Sequence, residues 1–193
     1  MKFRRLFLYA VVTAFLAGLV TLFTWNINGF IIKGSKTPFT YISFCAWAVY
    51  FLVGASPKAA LKAFSSMIAG IIAAILMFVL SLAFGFTPWY AVPLAVVILV
   101  IPMMLMESVK PFNNVSAVFV GTGLYFSLSA SGAIPSFDFF GYTRAGLAEL
   151  FYVLVGFVAG WLTIQLRAFA ASEKQAEKNH AVPISPSAKD SRI

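Results

Sequence analysis

Apolar residues fall into six long runs along the 193-residue chain, separated by short stretches that hold most of the lysine, arginine and proline. The runs cover residues 6–25, 39–55, 59–84, 89–106, 115–131 and 145–166. A helix crossing the ~30 Å hydrocarbon layer needs roughly 17–25 mostly apolar residues. The second, fourth and fifth runs are short and must tilt little or borrow flanking residues. No run alternates with the period of a barrel strand, and lipid offers backbone polar groups no partner, so all six are predicted to be helical. The expected fold is all-α: a polytopic transmembrane bundle of six spans forming one membrane domain, residues 1–168. After Leu166 the composition turns polar, with Glu173, Lys174, Glu177 and Lys178 followed by Pro183 and Pro186. The sixth helix is expected to run on for a turn or two, and residues 169–193 read as a polar, disordered cytoplasmic tail.

Punctuation supports these boundaries. Ser56-Pro57 reads as an N-cap followed by proline at the first helical position of the third helix. Thr87-Pro88 is expected to do the same for the fourth helix, and Pro111 with Asn113 or Asn114 for the fifth. Within the fourth run, Pro93 and Pro102 are expected to interrupt the backbone hydrogen-bond ladder. Orientation follows from where the basic residues lie. With the N-terminus inside, the cytoplasmic side holds Lys2, Arg4, Arg5, Lys58, Lys62, Lys110, Arg167, Lys174, Lys178, Lys189 and Arg192, and the outside only Lys33, Lys36 and Arg144. That excess predicts both termini in the cytoplasm. Trp25, Trp89, Tyr90 and Tyr142 fall at the expected outer boundary, where amphipathic rings prefer to sit. Trp47 falls mid-span and is expected between helices.

Composition sharpens the class. Hydrophobic residues make up 61% of the chain and charged residues 10%, against about 25% charged in an ordinary soluble domain. A surface so poor in charge must face lipid. The net charge of +8 does not imply nucleic acid, because the cations sit in clusters between apolar runs rather than on one aromatic-laced face. The basic start before Leu6 resembles a secretory signal, but its apolar run is longer than a signal core, so it is read as a retained first span. Cys45, the only cysteine, lies inside an apolar run and is expected to be a small buried hydrophobe.

Lipid is as apolar as leucine, so small and polar residues mark the helix faces that meet other helices. In the sixth span Gly146, Glu149, Val153, Gly156, Gly160 and Thr163 step along one face. Ala10, Ala14, Ala17, Thr21, Thr24 and Asn28 do so in the first. Ser66, Gly70 and Ala74 mark the third span, and Gly123, Ser127 and Ser131 the fifth. Gly156, Gly160, Gly70 and Gly123 are the expected close-packing positions. Glu149, Thr21, Thr24, Asn28, Ser127, Ser131 and Thr163 are the candidates for a polar path. Glu149 is the acidic residue set well inside a span, where a carboxylate is costly unless protonated or paired; Arg144 or water at the outer end could serve it.

Enzyme chemistry is not expected. The acidic residues are Glu107, Asp138, Glu149, Glu173, Glu177 and Asp190, and the single histidine is His180. That supply provides neither a zinc motif, nor paired carboxylates within spans, nor a histidine base for a serine nucleophile. No Gly-rich phosphate loop occurs. No cofactor and no metal are therefore expected.

The segments FRRLFLYAVVTAFLAG, SPKAALKAFSSMIAG and LMESVKPFNNVSAVFVG, in that order, resemble the YcdZ-like family of bacterial inner-membrane proteins, a domain of unknown function. The resemblance covers about residues 3–168 and implies a multi-pass protein of a bacterial inner membrane; it supplies no substrate or site residue. The functional expectation is a small-solute channel, facilitator or transporter. Its alternative is a non-transporting accessory or assembly protein that binds another membrane protein. The lipid bilayer is the expected partner, with a homo-oligomer or a membrane-protein partner as further possibilities.

Overall fold

The computed structural model describes residues 3–32, 38–85, 89–134 and 136–180. All regular structure among them is helical: α1 (Phe3–Ile31), α2 (Thr40–Leu52), α3 (Pro57–Ala83), α4 (Ala91–Leu105), α5 (Val115–Ala130) and α6 (Phe139–His180), with one 3-10 turn at Met106–Ser108 prolonging α4. Four apolar helices are long enough to cross a membrane: Leu6–Ile31, Pro57–Ala83, Ala91–Ser108 and Phe139–Ala168. The chain is thus a helical membrane protein.

The other two apolar helices are shorter than a span. At 1.5 Å per residue, the 13 residues of α2 reach about 20 Å and the 16 of α5 about 24 Å, against a layer of ~30 Å. The run at 39–55 loses its end for a local reason. Gly54 and Ala55 take positive φ values of 102° and 52°, which no right-handed helix accommodates. Seven of the residues in α2 are buried, Trp47 and Tyr50 among them, so it behaves as a core helix.

Helix starts follow the expected caps in part. The Ser56 side chain accepts a 3.3 Å hydrogen bond from the Ala59 N–H, with Pro57 opening α3. For α5 the cap is Asn114, which accepts from the Ala117 N–H at 3.2 Å; Pro111 lies outside the helix rather than in its first turn. Thr87 and Pro88 lie outside the described residues. Because α4 starts at Ala91, Pro93 falls in the first turn, whose N–H groups lack intrahelical acceptors anyway. Only Pro102 interrupts α4 internally. Ahead of α6, the Asp138 carboxylate accepts from the Gly141 N–H and from the Ser136 hydroxyl, each at 2.7 Å. These bonds, the Gly141 bond foremost, favour the ionised form and hold the carboxyl below the usual carboxylate range. The helix then continues to His180, so residues 169–180, expected in the tail, are helical; residues 181–193 lie outside the described residues.

Two close helix pairs build the core. α2 lies along α6, and α3 lies along α5, with α3 also touching α4 and α6. Gly70 and Gly121 make the α3–α5 contact reciprocal: a Cβ on Gly70 would strike the Val118 carbonyl, and one on Gly121 would strike the Met67 backbone. At that approach the Thr122 hydroxyl reaches the Gly70 carbonyl at 3.0 Å. The small residues are what permits it, since apolar burial supplies no drive inside lipid.

α1 runs antiparallel to α6. Arg167 lies over the Tyr9 ring at 6.0 Å near one end, while Tyr152 bonds Asn28 nearer the other. Much of α1 is exposed, including Phe7, Phe15, Trp25 and Phe30, as lipid requires. Trp47 is buried with Val20 and Ala159, where α1, α2 and α6 meet. Two expectations fail here. Cys45 is on the exposed side of α2, and Tyr142, expected at the interface with Trp25, Trp89 and Tyr90, is fully buried. Its ring stacks on Phe78 at 5.5 Å, because its position on α6 faces α3.

Candidate functional site

The site begins with the contact between α2 and α6. A Cβ on Gly156 would overlap the Ser43 carbonyl, and a Cβ on Gly160 would overlap the Tyr50 ring. With no side chain at either position, α6 lies close against α2. The Ser43 hydroxyl then donates to the Tyr152 carbonyl at 2.8 Å, and Phe39 meets the Tyr152 ring edge-on at 6.1 Å.

α1 closes the third side with two polar contacts. The hydroxyls of Thr24 and Thr40 are 2.7 Å apart, and the Tyr152 hydroxyl donates to Asn28 Oδ1 at 2.8 Å. Both are buried. Hydrogen bonds between membrane helices average about 0.6 kcal/mol in double-mutant cycles. Tyr152→Phe is accordingly expected to lower stability by that order, and a cycle with Asn28→Ala measures it. No coupling in the cycle would mean the bond holds nothing together.

Glu149 lies one turn before Tyr152 on the same face of α6, and none of its surface is exposed. Neither of its carboxylate oxygens has a hydrogen-bond partner. The phenols of Tyr41 and Tyr125 are near enough to sense its charge. Tyr125 is already engaged, donating to the Tyr142 carbonyl at 2.7 Å, whereas the hydroxyls of Tyr41 and Tyr142 are buried without partners. Arg144, the expected counter-charge, is exposed. Five residues before Glu149, it points about 140° away around the helix.

The other path candidates divide. Thr24, Asn28, Glu149 and Thr163 are buried, and Thr21 is half-buried. Thr163 donates to the Ala159 carbonyl of its own helix at 2.8 Å. Thr21, with Gly18, Leu22, Trp25 and Asn26, lines an open groove of about 580 Å³ on the flank of α1. Ser127 and Ser131 are exposed on the outer side of α5 and bond to Gly123 and Leu128 carbonyls of that helix. They join no interior path with the others. Gly123 shares their face: a Cβ there would meet nothing within 4 Å. Gly121 is the close-approach residue of α5 instead. The stripe through Ala117, Gly121, Tyr125 and Leu128 has the same spacing as the stripe through Gly123 and Ser127, so periodicity could not rank them. Tyr41, Tyr125 and Tyr152 were also not singled out, since a tyrosine in an apolar run reads as packing or as an interfacial anchor. For Tyr125 and Tyr152 the sequence signal is a hydroxyl well inside a helix, whereas Tyr41 sits in the first turn of α2.

Among the described residues no group of three or more His, Cys, Asp or Glu side chains could hold a metal ion. Neither a curated protein nor a solved structure matches the chain. A family model does, described as "Protein of unknown function (DUF1097)", over residues 8–168. This span takes in all six helices, the α2–α6 contact and the buried carboxylate. The chain belongs to the DUF1097 family of proteins of unknown function.

Proposed function

We propose that the protein is a non-enzymatic transporter or facilitator that passes a small solute across a bacterial inner membrane, with the cluster around Glu149 as its solute site. The fully buried carboxylate without a partner carries this reading. A bundle that only had to pack would be at least as stable with an apolar or amide side chain there, because an unpaired carboxylate is expensive in a membrane core. The buried polar pair one turn further along α6, Tyr152 with Asn28, fits a binding role. The test is uptake by proteoliposomes across small neutral, anionic and cationic compounds. Flux above empty liposomes is expected for the wild type, and flux at the empty-liposome level for Glu149→Gln. Wild-type vesicles no more permeable than empty ones to every compound would end the transport reading.

The same proposal places all six helices in the bilayer, both termini in the cytoplasm and the chain among the YcdZ-like proteins. Basic residues at the start of α1, in the first turns of α3 and along the C-terminal part of α6 support this orientation, and the proximity of Arg167 to Tyr9 puts those ends of α1 and α6 on one side. α2 and α5, about 20 and 24 Å long, would cross with their flanking turns completing the path. Reporters fused after Arg5, Lys62, Lys110 and Lys174 are expected to be cytoplasmic, and fusions near Lys36, Thr87 and Asp138 external. A reversal at any internal loop overturns the six-span arrangement.

A second reading rests on the open groove along α1 at Thr21, Trp25 and Asn26. An accessory protein would receive a partner's helix on such a flank. Cross-linking from Trp25 to a co-purifying membrane protein, together with absent flux, would favour that reading.

A further inference from the structure

We propose that the ligand held at Glu149 is a proton, bound and released by its carboxyl. The proposal rests on the transport reading for its purpose, though not for its chemistry.

Four helices surround α6: α1, α2, α3 and α5. From α2 the titratable side chains are Tyr41, the exposed Cys45 and Tyr50, which lies against Gly160 three turns on; from α5 there is Tyr125; α6 itself adds Tyr142 and Tyr152. α1 presents Asn28 and Thr24, which do not titrate. α3 meets this stretch of α6 with Ile71 and Ile75 against Gly146. Every titratable neighbour is therefore neutral or anionic, and none can neutralise a carboxylate.

An ionised carboxylate only accepts hydrogen bonds, and both oxygens of Glu149 lack a donor. Burying that charge without a partner is prohibitive beside the alternative of taking up a proton. Among the described residues Glu149 belongs to no group of three or more His, Cys, Asp or Glu side chains that could hold a metal ion. A proton needs only one lone pair.

Glu149 is fully buried, so its proton is released only to water that reaches the carboxyl. The carboxylate left behind is reprotonated or meets the solute.

Infrared spectroscopy of the full chain in lipid nanodiscs tests this without reference to transport. At neutral pH the wild type should show a protonated-carboxyl stretch that moves on carbon-13 labelling of glutamate, shifts in heavy water and vanishes reversibly in alkali. The band should be missing in Glu149→Gln. Absence of the band from the labelled wild type, or a band that never exchanges, overturns the proton site whether or not the variants fold. A proton site that behaves as described in a protein that moves no solute leaves the chemistry standing and defeats the transport reading; solute flux through a permanently ionised Glu149 does the reverse.

Discussion

Replacing Gly156 and Gly160 together with leucine is expected to destroy the α2–α6 contact and to lower stability by a large amount. Overpacking a core that can adjust costs about 1–3 kcal/mol per site. Here the first added atom at Gly156 already meets the Ser43 carbonyl, and that at Gly160 meets the Tyr50 ring. Ring and backbone cannot both step aside, so the helices must separate. Separation breaks the Ser43–Tyr152 bond and disturbs the Tyr152–Asn28 bond beyond it. The loss is therefore larger than the steric cost alone. The control is Gly123→Leu, where a Cβ meets nothing within 4 Å and a leucine would face lipid. Thermal unfolding in detergent should show a much lower midpoint for the double variant and little change for the control. A double variant as stable as its parent would mean that this face of α6 does not pack on α2.

The second large effect is expected at Glu149, and it has opposite signs for two substitutions. Glu149→Gln keeps the shape and removes the ionisable oxygen. If any fraction of the folded protein holds the charge without a partner, that cost disappears, so stability should be equal or higher. Glu149→Lys should be strongly destabilising. It places a cation among tyrosines and apolar side chains with no acid described beside it, and a lysine at the centre of a spanning helix costs about 2.5–3.5 kcal/mol on insertion scales. Snorkelling to the surface, which would relieve that cost, is hindered because position 149 is fully buried. Melting temperature and yield from membranes measure both variants. A Glu149→Gln protein markedly less stable than the parent would show that the carboxylate has a stabilising partner, and the case for a binding role would fall with it.

Much of this architecture is legible in the residues. The apolar runs locate all six helices because lipid leaves the backbone no partner but itself, which ties length and hydropathy directly to secondary structure. Ser56-Pro57 marks the start of α3 because capping is a contact between near neighbours. Glu149, Gly156 and Gly160 fall on one face by helical spacing alone, and that face could be read before any partner was known. Local conformation ended the readable part at Gly54 and Ala55, where positive φ values stop α2 short of a span.

What only the tertiary structure decided is which face of each helix meets protein. α5 carries two stripes of small residues at the same spacing, through Gly121 and through Gly123, and lipid gives neither an energetic preference that composition reveals. The choice was made on α3 by Met67, whose backbone lies against Gly121, and by Gly70, which lies against Val118 and Thr122. Ser127 and Ser131 were turned outward by the same rotation. Tyr142, which belongs by composition to the interface, was drawn inside by Phe78. The surroundings of Glu149 are of the same kind. Composition alone could place a carboxyl in a span, but its isolation depends on Tyr41 from α2, Tyr125 from α5 and the outward turn of Arg144, and distant segments are brought together only by packing.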